Sequence, residues 1–247
     1  TLVDQVYKAE LNNQQVKIEL QERELEKQKV EIQALQSQIN PHFLYNTLET
    51  MNAYGIINGI EEISKMADAL AGMFRYSVRN LEMVTLADEI EHVKGYLIIH
   101  ELRIRKPINL ILDIEPSLYD APMVKLSLQP LVENAIQHGF KKSVDEINIT
   151  IRTKIIGSCL HVCVIDNGRG IPNDRLKEIR EFIKPDRKNK PELRSDLGIG
   201  VTNVNRRIQL IFGDQYGLKL TSRVNDGTTV SIVLPYQKEK RGTDQPA

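Results

Sequence analysis

Three short segments stand out in the 247-residue chain, in fixed order: Leu131-Val-Glu-Asn134-Ala-Ile-Gln-His138-Gly, then Asp166-Asn-Gly168-Arg-Gly170, then Asp196-Leu-Gly198-Ile-Gly200-Val-Thr-Asn203. Each alone is weak. Asp-Asn-Gly is usually a turn, because Asn and Gly tolerate positive φ, and Gly-Ile-Gly ahead of a helix is often only a junction. Their joint occurrence is much harder to explain by turns. A nucleotide accounts for each segment. Asp166, ending an apolar strand, can accept a hydrogen bond from an adenine amino group, while Gly168 and Gly170 let the backbone approach the base. Gly198 and Gly200 open a helix at Val201 and would offer backbone N–H groups and a positive helix end to phosphates. Asn134 offers a neutral oxygen to Mg²⁺, a cation that prefers hard oxygen ligands. The sequence has no Gly-x-x-x-x-Gly-Lys-Ser/Thr loop, so the expected ATP site is of another kind.

The elements that must position these residues fall into two textures. From residue 2 to 39 there is no proline or glycine, and Leu11, Ile18, Leu25, Ile32 and Ile39 recur every seven residues, the period of a dimeric coiled coil. The companion seam is poorer, with Gln14, Gln21 and Gln28 preceding Leu35. Two amphipathic helices follow from Pro41 to about Leu81, with a turn expected at Gly55 and Gly59. Leu44, Leu48 and Met51 mark one face, and Ile63, Met66, Leu70 and Phe74 the other. Two such hairpins from two chains would make a four-helix bundle. A break at Asn80–Thr85 precedes a helix from Leu86 to about Arg105. After Pro107 the pattern predicts strands at 108–114, 147–155, 160–165, 218–224 and 228–234, and helices at 122–138 and about 201–212. The fold class is therefore α+β, a helical dimerisation part followed by a mixed sheet covered by helices.

Composition bounds the partners. Lys+Arg 33 against Asp+Glu 33 leaves no net charge to attract nucleic acid, which is not expected as a partner. Cys159 and Cys163 share one side of a strand and read as buried packing thiols in a reducing compartment. No run reaches the roughly 18 apolar residues of a membrane span, so this piece reads as soluble, and its opening inside a helix reads as a cut from something longer. His92, His100 and His161 lack paired ligands at useful spacing and read as structural. The charged run from Pro172 to Asp196 reads as a mobile lid over ATP. Glu133 either orients a metal-bound water or is an exposed helix residue.

On these residues the region from about 107 to 236 resembles the ATP-binding fold shared by DNA gyrase, the large heat-shock chaperones, MutL and the histidine kinases. Gln38-Ile-Asn-Pro-His42-Phe-Leu-Tyr-Asn46-Thr-Leu selects among them, because it is similar to the phosphoacceptor box of the LytS/YesM-like sensor kinases. Arg75-Tyr-Ser, the Leu86–Arg103 helix with Tyr96, Glu101 and Arg103, and Asn203-Val-x-x-Arg207 extend the match. The resemblance implies that His42 is the nucleophile, Asn134 the Mg²⁺ ligand and Asp166 the adenine reader. Asn46, one turn after His42, either holds the imidazole or is merely solvated. It further implies a homodimer, a response-regulator receiver domain as partner, and a cytoplasmic location behind an upstream membrane sensor region of a bacterial protein. The expected organisation is a coiled-coil helix at 1–38, a phosphotransfer hairpin at 39–85, a connecting helix at 86–106, an α/β-sandwich ATP domain at 107–237 and a tail at 238–247.

Departures from the pattern are informative. Pro130 stands where the gyrase-type ATPases carry a water-activating glutamate, four before Asn134, and this disfavours a hydrolase. Gln137 replaces a lysine common in the family, leaving phosphate contact to His138, Lys141 or lid arginines. Phe43 replaces the acid that follows the histidine in the commoner kinases, so the base is unassigned. The rival expectations are a gyrase-like ATPase and a non-catalytic dimeric scaffold.

Overall fold

The computed structural model describes residues 23–24, 27, 41–79, 81–139, 146–184 and 199–236. The heptad helix of residues 1–38 lies outside these, apart from Arg23, Glu24 and Lys27, which are helical; the tail 238–247 lies outside as well. The chain divides into two compact units, residues 1–50 and 51–247. Helix α1 (Pro41–Ile57) begins in the first unit. Pro41 suits a first helical position, where its fixed φ is pre-organised and its missing N–H is no loss.

In the second unit, the end of α1 turns into α2 (Glu61–Val78) at the expected glycines. Gly59 has φ +66, and a Cβ on Gly55 would sit 2.8 Å from the Ser64 backbone nitrogen, so only glycine lets the helices approach this closely. Ser64 donates to Asn52 at 2.5 Å and closes the turn. Glu61 and Glu62 place negative charge at the positive end of α2. At its other end the Lys125 ammonium donates to the carbonyls of Ser77 and Arg79, supplying a cation where the helix exposes unpaired acceptors.

Helix α3 (Leu86–Ile104) starts on a capping box, in which Thr85 Oγ1 accepts from Asp88 N at 3.1 Å and Asp88 Oδ2 accepts from Thr85 N at 3.0 Å. It ends at Arg105 in the left-handed region. Leu86, Ile90, Val93 and Leu97 recur at helical spacing and enter the same core as the sheet, so this nominal connector is a structural helix of the sheet domain.

The five-stranded sheet contains β2 (Ile108–Asp113), β4 (Ile147–Ile156), β5 (Cys159–Asp166), β6 (Gly217–Arg223) and β7 (Gly227–Pro235), in spatial order β2-β4-β5-β7-β6. Only the β2–β4 pair is parallel. Alternation along β5 sends Leu160, Val162 and Val164 into the core with Ile149, Ile151, Ile232 and Leu234. Helices α3, α4 (Gln129–Asn134), α5 (Asn173–Ile183) and α6 (Ile199–Phe212) contribute to that core. Cys159 and Cys163 do share one side of β5, but it is the half-exposed side; strand parity puts them opposite the core rather than in it.

Two expectations about elements need correction. Residues 122–138 are not one helix. Pro122–Val124 forms a short strand, β3, antiparallel to β1 (Met83–Thr85) in the stretch read as a break. Helix α4 begins only at Gln129 and closes in a π turn over Ala135–Gly139. Pro130 marks the true start, since proline removes a ladder donor and is accepted only in a first turn. The run from Pro172 is likewise not all lid. Helix α5 buries Leu176 in the core, and Arg180 donates to the Leu220 carbonyl of β6 at 3.0 and 2.8 Å. Residues 185–196 of the expected lid lie outside the described residues.

Candidate active site

Asn134 ends α4 with a defined side-chain orientation. Its Nδ2 donates to the Pro130 carbonyl at 2.7 Å, so Oδ1 is the amide atom that this bond does not use. An amide oxygen is the donor type Mg²⁺ takes, so the residue fits the cation. Pro130 thus does two things where a glutamate would stand in gyrase-type ATPases: it offers no carboxylate, and its carbonyl fixes the asparagine. Gly200, in the first turn of α6, faces the same proline; a Cβ there would lie 3.2 Å from Pro130 Cβ. The third motif therefore meets the first turn of the helix that carries the first.

The second motif arrives through the sheet. Asp166 continues the inward parity of β5 and is 7% exposed. Burial pushes its carboxyl above the ordinary range, opposed by the backbone N–H groups of Gly168 and Thr228. Gly168 N donates to Oδ1 at 2.9 Å. The π turn that continues α4 packs on β5 and β7, so Asn134 and Asp166 hang on adjoining elements. Gly170 answers to the fold before any base: with φ +67, a Cβ would fall 1.9 Å from the Arg223 carbonyl oxygen, so the close approach it permits is to β6. Gly227 does the same beside the Asp166 carbonyl. Gly198, Lys141 and the side chain of His138 lie outside the described residues.

Around Asn134, Glu133 accepts from Gln137 at 2.8 Å, the residue that replaces the common lysine. Tyr96 of α3 is held up to about 12 by burial first and by the Glu133 charge second. Glu101 accepts the Ile108 N–H at 2.6 Å, tying the last turn of α3 to β2, and Arg103 lies 3.2 Å from the His100 ring. Of these three, Glu101 fastens the third helix to the sheet. Among the described residues there is no group of three or more His, Cys, Asp or Glu placed to hold a metal ion.

His42 is exposed in the first turn of α1. Asn46 Nδ2 lies 3.4 Å from Nδ1 and 3.5 Å from Nε2. A donor nearly equidistant from both ring nitrogens is directed at neither lone pair, so this contact selects no tautomer.

Residues 30–108 match the family model described as Histidine kinase, and residues 119–238 match that of the Histidine kinase-, DNA gyrase B-, and HSP90-like ATPase. The chain belongs to the histidine kinase family. Similar proteins include "Sensor histidine kinase YesM" of Bacillus subtilis, 36% identical over 90% of this chain and 37% of that protein. "Sensor protein LytS" of the same organism is 32% identical over 92% and 38%. "Sensor protein kinase HptS" of Staphylococcus aureus is 28% identical over 92% and 42%. The chain thus spans 37–42% of the length of these sensor kinases. Among the described residues of this histidine kinase, no helix is long and apolar enough to cross a membrane.

One set of buried polar residues escaped the sequence reading. Glu89, 1% exposed, accepts from Leu126 N at 2.5 Å, Ser127 N at 2.8 Å and Leu128 N at 2.7 Å, and Tyr76 donates its hydroxyl to the same carboxylate. The available signal was phase. Glu89 sits with Leu86, Ile90, Val93 and Leu97 on the inward stripe of α3, where an acid must find donors. Asn205 is a second case: it donates to Ile183 O at 2.9 Å and accepts from Leu218 N at 2.7 Å, joining α5, α6 and β6.

Proposed function

We propose that this chain transfers the γ-phosphoryl group of Mg-ATP to a ring nitrogen of His42, as the catalytic part of a two-component sensor kinase. The observation that supports it is one chain joining an exposed histidine in a proline-started helix to a domain where Gly200 faces Pro130 in the helix that carries Asn134, and that helix's π turn packs on the strand ending at Asp166. Asp166 reads the adenine amino group through its carboxylate. Asn134 presents Oδ1 to the metal, and Gly200 helps shape the phosphate end. Bound Mg²⁺ supplies neutralisation of the phosphate charge.

The neutral imidazole lends its lone pair to phosphorus, forming a P–N bond as the bridging P–O bond breaks and ADP leaves with that electron pair. Pro130 places no base against water, which favours transfer over hydrolysis. The phosphoryl group then passes to an aspartate of a response regulator. The apolar face of the α1–α2 hairpin is covered by the same hairpin of a second chain, making the homodimer's four-helix bundle.

The test is incubation with γ-labelled ATP and Mg²⁺. The expected result is an acid-labile, base-stable label on the protein that disappears in His42→Gln. Steady phosphate release with no phosphoprotein would instead establish a hydrolase.

A further inference from the structure

The loop from Lys125 to Leu128 leads into α4 and carries an unusual backbone. Leu126 has φ +56, a conformation that L side chains other than Asn and Asp rarely adopt. What holds it is a single anion. The three consecutive N–H groups of Leu126, Ser127 and Leu128 converge on the two oxygens of Glu89, and the Ser127 hydroxyl adds a contact at 3.2 Å. Successive N–H groups around a left-handed residue form an anion nest, and here a side chain fills it. The next residue is also tied to α3, because His92 Nε2 lies 2.6 Å from Gln129 Oε1. Four consecutive residues, ending at the first residue of α4, are thus clamped from one face of α3.

The clamp reaches α2 as well. Tyr76 donates to Glu89 and stacks on His92, with ring centroids 4.3 Å apart, and Lys125 Nζ lies 5.3 Å from the Tyr76 centroid while bonding the last carbonyls of α2. Helix α4 is short, Gln129–Asn134, so a shift of its first turn moves Asn134 almost without attenuation. Pro130, whose carbonyl orients Asn134, immediately follows the clamped stretch.

We propose that Glu89 is a positioning residue for Asn134, and that the Tyr76 hydroxyl on α2 sets how firmly it holds. This rests on the reading of Asn134 as the residue that presents an oxygen to Mg²⁺. Glu89→Gln is the sharp variant. It preserves shape, but its amide nitrogen must face at least one of the backbone donors, so the nest loses its fit without losing its filler.

The experiment measures binding of a non-hydrolysable ATP analogue to the full chain by calorimetry, with and without Mg²⁺, and follows melting of each variant. Glu89→Gln is expected to lower the Mg²⁺-dependent gain in affinity by about tenfold, the scale seen when a supporting partner of a metal ligand is lost. Metal-free affinity, carried by Asp166, is expected to stay as in the wild type. Tyr76→Phe, which keeps the stack on His92, is expected to give a smaller loss of the same kind. An unchanged Mg²⁺ gain in folded Glu89→Gln, or an equal loss with and without metal, overturns the proposal. If Glu89→Gln does not fold, Tyr76→Phe decides alone: a reduced Mg²⁺ gain supports the proposal and a wild-type gain overturns it. A wild-type protein whose affinity does not respond to Mg²⁺ removes the metal role of Asn134 itself, and the inference falls with it.

Discussion

The helical hairpin and the sheet domain treat their apolar residues in opposite ways. In the sheet domain Ile149, Val162, Ile208 and Ile232 are fully buried. On the hairpin, Ile57 is 82% exposed, Tyr54 61%, Met51 49% and Leu70 39%. The sheet domain completes its own core from one chain. The hairpin leaves its stripe for something else to cover, and the apolar area on it is the kind that drives association. A protein built this way can change helix packing in the hairpin without unfolding the nucleotide domain. Away from the Tyr76–Glu89 contact, the two regions should therefore respond separately to substitution, and four variants test that separation.

The largest effect belongs to His42. His42→Gln is expected to abolish phosphoprotein while leaving ATP affinity unchanged, measured by labelling and by nucleotide titration. Persisting acid-labile label on the variant would assign the nucleophile elsewhere. Next comes the hairpin face. Met66→Lys with Leu70→Lys is expected to weaken dimerisation by about a hundredfold, because each buried apolar side chain contributes about 1.5–3 kcal/mol and 1.4 kcal/mol is tenfold. Sedimentation reads this, and the nucleotide titration should not move. A dimer constant that stays put would mean the exposed face is not the one that associates.

Asn134→Asp has the opposite profile. Size is kept, but the donor that bonds the Pro130 carbonyl is lost and a charge is added beside the triphosphate, and a repulsion of about 1.4 kcal/mol already suffices for a tenfold fall in phosphorylation. The expected result is a loss of about that size or more at limiting Mg²⁺, with an unchanged dimer. If the residue only capped α4, the change would be about half a kcal/mol in melting and nothing in phosphorylation.

How much of this was legible in the sequence depended on distance along the chain. The Gly55–Gly59 turn and the strand that ends at Asp166 rest on local signals, and both are legible in the sequence. The β1–β3 pair joins residues nearly forty apart through three positions each, too short to leave a periodicity, so both ends were assigned to other elements. Helix α5 was hidden by its charge, because only Leu176 and its neighbours face inward while Arg175, Lys177 and Glu178 give the segment the texture of a loop. Glu89 was hidden by type. A glutamate in a helix reads as solvated unless its phase on the apolar stripe is weighed above its charge.

The smallest effect sharpens the comparison inside the sheet domain, because it separates recognition from folding at one residue. Asp166→Asn replaces a pure acceptor with an amide that also presents donors, so preference for ATP over GTP should fall. Stability should change little, by about 1 kcal/mol or less, since a hydrogen bond is weakened while the penalty of a buried charge is removed. The sign with pH follows from the raised carboxyl of Asp166. A group that holds its proton more tightly when folded contributes stability that is present below its unfolded pKa of about 3.9 and is lost as pH rises through the folded value. Wild-type stability relative to Asp166→Asn should therefore increase as pH is lowered from neutral toward 4, read by melting both proteins across that range. Because the hairpin's ionisable groups are the same in both proteins, they cancel in the difference. A difference that is flat across the range, or that favours the variant more at low pH, would show that the buried carboxylate is fully compensated by its N–H donors. Retained adenine selectivity in the same variant would then leave Asp166 as a residue of the sheet's end and not of the nucleotide site.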